Sequence, residues 1–597
     1  MMKIPASKLD GLEHIDESLG VMAARLDELV TRDQLNQDEF VELTAIFNNV
    51  AYVLVYLAAN EEYDQVRLME PWRDHFYEND ELAARIIRLL KSLKCPDSEA
   101  EASRLAFLAE LETVPSSEQL VSAERLSSLL ARAESLLTRR DQDRGALLGR
   151  LGIDTKQMSP NVAYYRLLAS TESAELRFKL ATAWRIQSDR HTDELVNIVD
   201  EMVDTRSEAA FSTRHANVLS QTLAKSQVTE DEVMDLTSAY LSEALHRYER
   251  LAKEISAEAK SSNEDPAVDF PAYMNSKRGR KTPLYSLEDC LQYAFTVAGR
   301  IFGIEIALEE IGRSHVLRGN VSRDGVPVGQ LIFDLWDEDD KAPGANFTRT
   351  WRNRTEWADI RQLPVAYISC RFNRRANGNG ITFQNVHSLL HELGHGLNHI
   401  LIQYRIPSRS GLEYLPLERV EYLSMWFEKW IYHPAFVEAL HLGEADAAAT
   451  VRAQQLKALE YRRTYVERAL CSALDVRIHL QRPASFRSVW HQLDEQFGIA
   501  RFSSISEIVE YFTWPMYQAH PGANFSYLWG ASSSSQNFLK FLDIPESELP
   551  GDIDTSLMFA PVFCPDLAAE LPDPVASFDF YDLMAGPLAG SAVASNA

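Results

Sequence analysis

The residues best placed to do chemistry are His391, Glu392 and His395, within the run HSLLHELGHGLNH. Two histidines four apart on a helix project from one face about one turn apart, so both imidazoles can bind one metal ion. Glu392, beside the first, can reach water at that metal and act as a general base. Zinc suits this donor set and needs a third protein ligand while keeping one position open; cobalt and manganese are not excluded by ligand type. A carboxylate on a following helix is the usual source. The intervening segment holds Pro407, Gly411 and Pro416, which can turn the chain and return a second helix, beginning near Leu417, against the first. Glu418, Glu421 and Glu428 would share one face of it, and spacing alone leaves both Glu418 and Glu421 open as the third ligand.

Two further features mark the histidine helix. Gly394 and Gly396 lie inside it, each costing about 1 kcal/mol relative to alanine, which makes sense where other groups must approach closely. His387 and His399 extend an i, i+4 ladder that drifts slowly around the helix, so not all four histidines can serve one ion. The outer two are expected to donate a ring N–H to a neighbour rather than touch the metal.

These residues need a scaffold, and the chain is long enough to supply it. At 597 residues, 46% hydrophobic and 25% charged, it has the composition of a large folded protein. Residues 15–260 read as successive amphipathic helices, for example VELTAIFNNVAYVLVYLAAN and SAELRFKLATAWRIQ, with breaks near Lys94–Asp97, Val114–Ser117 and Met158–Asn161. The polar stretch 260–285 reads as a long loop or linker, and its basic run Lys277–Lys281 as solvated surface. Around 315–375 the pattern changes to strands: Val326–Leu335 after the turn dipeptide Asp324-Gly325, then Leu363–Phe372. From Phe383 onward the chain is helical again, and residues 551–597 read as an irregular, poorly ordered tail. The expected sections are an N-terminal helical region at 1–155, a helical catalytic region at 156–550 and that tail.

The formal charge of −27 disfavours nucleic acid and anionic membrane surfaces as partners. Five cysteines, Cys95, Cys290, Cys370, Cys471 and Cys564, are widely spaced and suggest a reducing compartment. The first residues lack the apolar core of a signal peptide, and no uncharged run is long enough to span a bilayer, so a cytoplasmic location is the expectation.

HELGHGLNH resembles the HEFGHALHH segment of the thimet oligopeptidase family of zinc metallopeptidases, and RVEYLSMWFEKW resembles its FVExPSQxxEN stretch. GQLIFDLWDEDDKAPGA followed by LPVAYISCRF is similar to the strand pattern that precedes the motif in that family, and NFSYLWG to its YYxYLW. The resemblance runs from about residue 160 to 530 and is most specific from 326 to 430. It implies a mainly α-helical, elongated, two-lobed molecule with a small β-sheet beside the histidine helix and a deep channel that admits unstructured oligopeptides. It also implies one Zn²⁺ held by His391, His395 and Glu421. Glu428 then matches a later motif glutamate, and Ser424 also matches.

In the family a downstream loop supplies tyrosine and histidine groups to the substrate. Tyr527 matches one of these tyrosines, whereas His520 and Asn524 stand where tyrosines are usual and Pro515 where histidine is usual. His520 can still donate to an oxyanion, and Asn524, with Gly522, can contact the peptide. The implied reaction is hydrolysis of peptide bonds, with Glu392 as the proton carrier and Tyr527, helped by His520, at the oxyanion. The altered loop keeps open a dedicated leader-removing peptidase of narrow specificity. A catalytically silent peptide-binding relative is the alternative from another class.

Overall fold

The computed structural model describes residues 15–59, 70–77, 79–112, 117–155, 158–212, 215–259, 266–279, 281–310, 315–337, 346–374, 378–481, 485–514, 517–518, 520–549 and 571–586. It is mainly α-helical, as the periodicity predicts, with one five-stranded sheet and two short two-stranded ladders among the described residues. The chain divides into two compact units, each assembled from three stretches of sequence. The first takes residues 1–114, 284–441 and 540–569; the second takes 115–283, 442–539 and 570–597. This grouping follows packing, whereas the chain-order sections 1–155, 156–550 and 551–597 follow composition.

In the first unit, helices Ile15–Val30, Gln37–Ala59, Asp80–Ser92 and Ser98–Glu112 enclose a core that includes Leu26, Phe40, Ile46 and Leu89. Asn79 starts the third of these by accepting the Leu82 N–H at 3.0 Å. Trp357 and Ile406, from much later in the chain, complete the same core. Burial of these two residues ties the N-terminal helices to the motif-bearing region.

The sheet has five strands: β1 Glu305–Glu310, β2 Val316–Arg323, β3 Val326–Trp336, β4 Phe347–Arg352 and β5 Val365–Phe372. Their order is β1-β2-β3-β5-β4, antiparallel throughout except for the parallel pair β3/β5. β2 and β3 form the expected hairpin, with Asp324 at φ 50° and Gly325 at φ 72°. Two positive φ values are what a two-residue type I′ turn requires, and Asp-Gly tolerates them. β3 and β5 are central and buried, with Leu331, Phe333, Ala366 and Ile368 fully inaccessible. β4 is an edge strand, and neither it nor β1 carries a strand pattern marked enough to predict from the sequence.

The histidine helix spans Phe383–Leu401 and opens on a capping box. Thr382 Oγ1 accepts the Asn385 N–H at 3.2 Å and Asn385 Oδ1 accepts the Thr382 N–H at 3.1 Å. The helix packs on the sheet through small residues: a Cβ added at Gly396 would lie 2.8 Å from Leu331 Cδ2, and one at Gly329 2.7 Å from Ile400 Cγ2.

In the second unit, the 37-residue helix Glu444–Leu480 runs beside Glu230–Ala259, Phe525–Phe538 and Pro574–Ala585. The last of these corrects the expectation of an irregular tail. Phe578, Phe580 and Tyr581 are buried, and Asp582 pairs with Arg247 and Arg462, each at 2.6 Å. A 12-residue helix is too short for its period to stand out, and its aromatic cluster carries the packing instead. Residues 551–570 and 587–597 of the expected tail lie outside the described residues. The expected linker at 260–285 is also partly helical, at Phe270–Lys277, where Asp269 forms a buried 2.7 Å ion pair with Arg177. No helix among the described residues is long and apolar enough to cross a membrane.

Candidate metal centre

His391 and His395 lie one turn apart on the helix, ring centroids 5.0 Å apart. The returning segment begins at Leu417, close to where Pro416 placed it, but it is two short helices, Leu417–Val420 and Tyr422–Glu428. Glu421 sits at the junction with φ −90° and ψ −2°. That junction turns the Glu421 carboxylate toward the histidines: Oε2 lies 3.5 Å from His391 Nε2 and 3.4 Å from His395 Nε2. One ligand atom from each of the three residues lies within 4.8 Å of the others.

These separations fit a zinc ion. Bonds of about 2.0–2.2 Å at tetrahedral angles hold ligand atoms roughly 3.3–3.6 Å apart. The three side chains keep 20%, 12% and 9% exposure, so a fourth position can face solvent. Glu418, the alternative from spacing, is fully buried and is not part of this group.

The carboxylates and imidazoles of the site stabilise one another. Burial alone would raise the Glu421 carboxyl, but His395, His391 and the Ser424 hydroxyl at 3.1 Å outweigh it and hold the group down to about 2. Burial likewise opposes a charged His391, yet Glu428, Glu421 and Glu392 together push it up to about 9. His391 Nδ1 donates to Glu428 Oε2 at 2.7 Å, which presents Nε2 to the centre. His387 Nε2 lies 3.6 Å from the other oxygen of Glu428. His399 is buried away from the centre and donates Nε2–H to the Arg352 carbonyl at 2.9 Å.

Glu392 is buried at 7% exposure and its Oε2 lies 2.8 Å from the Thr348 hydroxyl, which also lies 2.9 Å from the Glu392 carbonyl oxygen. Thr348 belongs to edge strand β4, so the sheet holds the carboxylate that the histidine helix carries.

His520, Gly522, Asn524 and Tyr527 belong to the second unit. His520 is exposed, and Tyr527 is half-buried with the Arg468 guanidinium 4.5 Å from its ring centroid. Asn524 is buried and its Nδ2 donates to Asp475 Oδ2 at 2.9 Å. Gly522, at φ 80°, donates its N–H to Asp475 Oδ1 at 3.0 Å. Asp475 has no exposed surface and also meets His479 Nδ1 at 3.1 Å. The amides of Gly522 and Asn524 are therefore engaged in holding the loop on Asp475. Pro515 lies outside the described residues.

The sequence model of Peptidase family M3 matches residues 167–547. The chain belongs to Peptidase family M3. Among curated relatives, oligopeptidase A of Salmonella typhimurium is 24% identical over 428 residues, covering 64% of this chain and 60% of the relative. Oligopeptidase A of Escherichia coli matches with the same identity and coverage. The match thus spans about 60% of the length of these relatives. The solved structure of PZ peptidase A with an inhibitor shares the fold, with a TM-score of 0.56, 12% identity and coverage of 96% of this chain and 97% of that one.

Within this M3 chain, two residues that touch the expected site residues, Thr348 and Asp475, carry little signal in the sequence. Thr348 is an ordinary strand residue whose partner is 44 positions away. Asp475 leaves one trace, an i, i+4 spacing to His479 on a long helix, where a carboxylate and an imidazole share a face.

Proposed function

We propose that the protein hydrolyses peptide bonds in short, unstructured peptides as a zinc-dependent metallopeptidase. The observation that carries this reading is the spacing of His391 Nε2, His395 Nε2 and Glu421 Oε2, at 3.4–3.5 Å from carboxylate to each imidazole. When bound there, zinc supplies a Lewis acid that acidifies water and polarises a carbonyl. His391, His395 and Glu421 hold it, and Glu428 fixes the His391 ring through Nδ1. Glu392 takes the proton from the attacking water at its carboxylate and delivers it to the leaving amine. Thr348 keeps that carboxylate aimed. Tyr527 is assigned to the substrate carbonyl on the resemblance alone, and His520 on its capacity to donate from a position where the family has tyrosine.

The engagement of Asn524 and Gly522 with Asp475 gives a second reading some support, that of a maturation peptidase acting on one leader sequence. A loop whose amides are internally committed has fewer groups for sequence-independent peptide contacts. Mass spectrometry of a mixed peptide digest, with and without a chelator, tests both. Chelator-sensitive cleavage of many short peptides supports the general oligopeptidase. Cleavage of one leader class alone supports specialisation, and chelator-insensitive or absent cleavage of every peptide contradicts the metallopeptidase reading.

A further inference from the structure

A cavity of about 210 Å³ lies wholly within the second unit, apart from the residues assigned to hydrolysis. Its walls come from helices Ser117–Arg150, Pro160–Ser170, Ala174–Asp189 and Glu444–Leu480 and from the segment 502–514. Six aromatic rings line it: Tyr164, Tyr165, Trp184, Phe502, Tyr511 and Trp514.

Part of this lining is rigid. Tyr164 stacks on Trp184 with centroids 4.2 Å apart and planes 4° from parallel, and the Arg144 guanidinium lies 4.7 Å from the Trp184 centroid. Arg144 is itself held by the Ser188 hydroxyl at 2.7 Å and the Asn161 amide oxygen at 3.3 Å. Other rings are left open to solvent. Tyr165 is 46% exposed and Trp514 42% exposed, the latter backed by Tyr511 at 4.4 Å. Large apolar rings left this exposed around a concavity mark a place where something binds.

Charge decides what that something is. Arg463 reaches Glu467 at 3.2 Å, and Glu467 also accepts the Tyr511 hydroxyl at 3.3 Å. Glu510 pairs with Arg140 at 2.6 Å, and Glu507 accepts the Ser504 N–H at 2.9 Å with Arg185 at 3.9 Å. The guanidinium groups of Arg144, Arg185 and Arg463 oppose a cationic guest, and the carboxylates of Glu467, Glu507 and Glu510 oppose an anionic one. A neutral guest meets neither penalty. The volume lies below the roughly 300–1,000 Å³ that holds a drug-sized ligand, so the guest is about one side chain in size. Rings favour rings through offset and edge-to-face contacts, beyond the area they bury.

We propose that this cavity is a binding site for one neutral aromatic side chain, tryptophan or tyrosine, carried by a peptide. The site concerns binding alone and rests on no step of hydrolysis. The test is saturation-transfer NMR of the full-length protein titrated with N-acetyl-tryptophanamide, with N-acetyl-leucinamide as the control. Expected is saturable binding of the tryptophan compound, at least about tenfold tighter than the leucine compound. It persists in Glu392→Gln and after chelation, and weakens about tenfold in Trp514→Ala and in Tyr165→Ala. Trp514→Leu keeps an apolar side chain and removes the indole, so it separates loss of the site from a folding defect. The proposal is overturned by absence of saturable binding, by equal binding of both amides, by binding untouched in all three ring variants, or by loss on chelation, which would place the guest at the metal centre.

Discussion

Gly394 and Ser424 meet backbone to backbone: a Cβ built on Gly394 would lie 2.6 Å from Ser424 Cα and 2.8 Å from the Leu423 carbonyl oxygen. No real Cβ sits so close to main chain, so this glycine sets the distance between the helix that carries the two histidines and the segment that carries Glu421. The 3.4–3.5 Å carboxylate-to-imidazole gaps depend on that distance.

Gly394→Ala gains about 1 kcal/mol of helix propensity but forces two rigid backbones apart, an overpacking cost of about 1–3 kcal/mol. The expected net outcome is a lower unfolding midpoint and zinc affinity reduced at least about tenfold, since Glu421 moves with the displaced segment. Gly396→Ala is the control. Its nearest neighbours are Leu331 Cδ2 at 2.8 Å and Ile368 Cδ1 at 3.1 Å, methyl groups that can turn aside. It should hold zinc normally in the same chelator-competition titration.

Glu428 accepts the His391 Nδ1 proton at 2.7 Å. Glu428→Gln keeps the shape, loses the charge and should weaken zinc binding about 10–100-fold while leaving the fold intact. Chelator competition measures the affinity, and circular dichroism measures the fold. Unchanged affinity would mean that Glu428 serves packing only.

These two predictions rest on unequally legible features. The HExxH spacing, the return of the chain after Pro416 and the Asp324-Gly325 hairpin are local patterns, and a periodic sequence displays local patterns. Choosing Glu421 over Glu418 was not local. It depends on the helix breaking at Glu421, and neither the spacing nor the composition of LERVEYLSMWFEKW signals that break. Edge strand β4 was hidden for a related reason: Phe347–Arg352 is short, and its pairing partner Val365–Phe372 lies beyond an intervening hairpin. The helix Pro574–Ala585 is not legible in the sequence because tertiary burial of Phe578 and Tyr581 selects it, and its own period does not.

Thr348 donates to the Glu392 carboxylate from the neighbouring sheet. Thr348→Val should lower kcat about tenfold with zinc content unchanged, because only the aim of the proton carrier is lost. Thr348→Ser, which restores the hydroxyl, should recover most of it. Steady-state kinetics on a quenched fluorescent peptide, with metal analysis, separates this from a general loss of structure.

Asp475 gathers Gly522, Asn524 and His479 at 2.9–3.1 Å in a fully buried position. Asp475→Ala leaves several buried donors without an acceptor and should destabilise the protein by about 3 kcal/mol or more. Zinc affinity should not change, since every proposed metal ligand is in the other unit. Thermal unfolding followed alongside zinc titration tests the separation, and zinc loss in step with destabilisation would contradict it.

The central claim is that Glu392 moves the proton while His391, His395 and Glu421 hold the metal. Its most direct test measures zinc content and peptide hydrolysis together in Glu392→Gln. The account predicts one zinc per chain, as in the unmodified protein, with kcat reduced about 10²–10⁴-fold. Near-normal cleavage by Glu392→Gln, in a preparation shown to be free of other proteases, would contradict it.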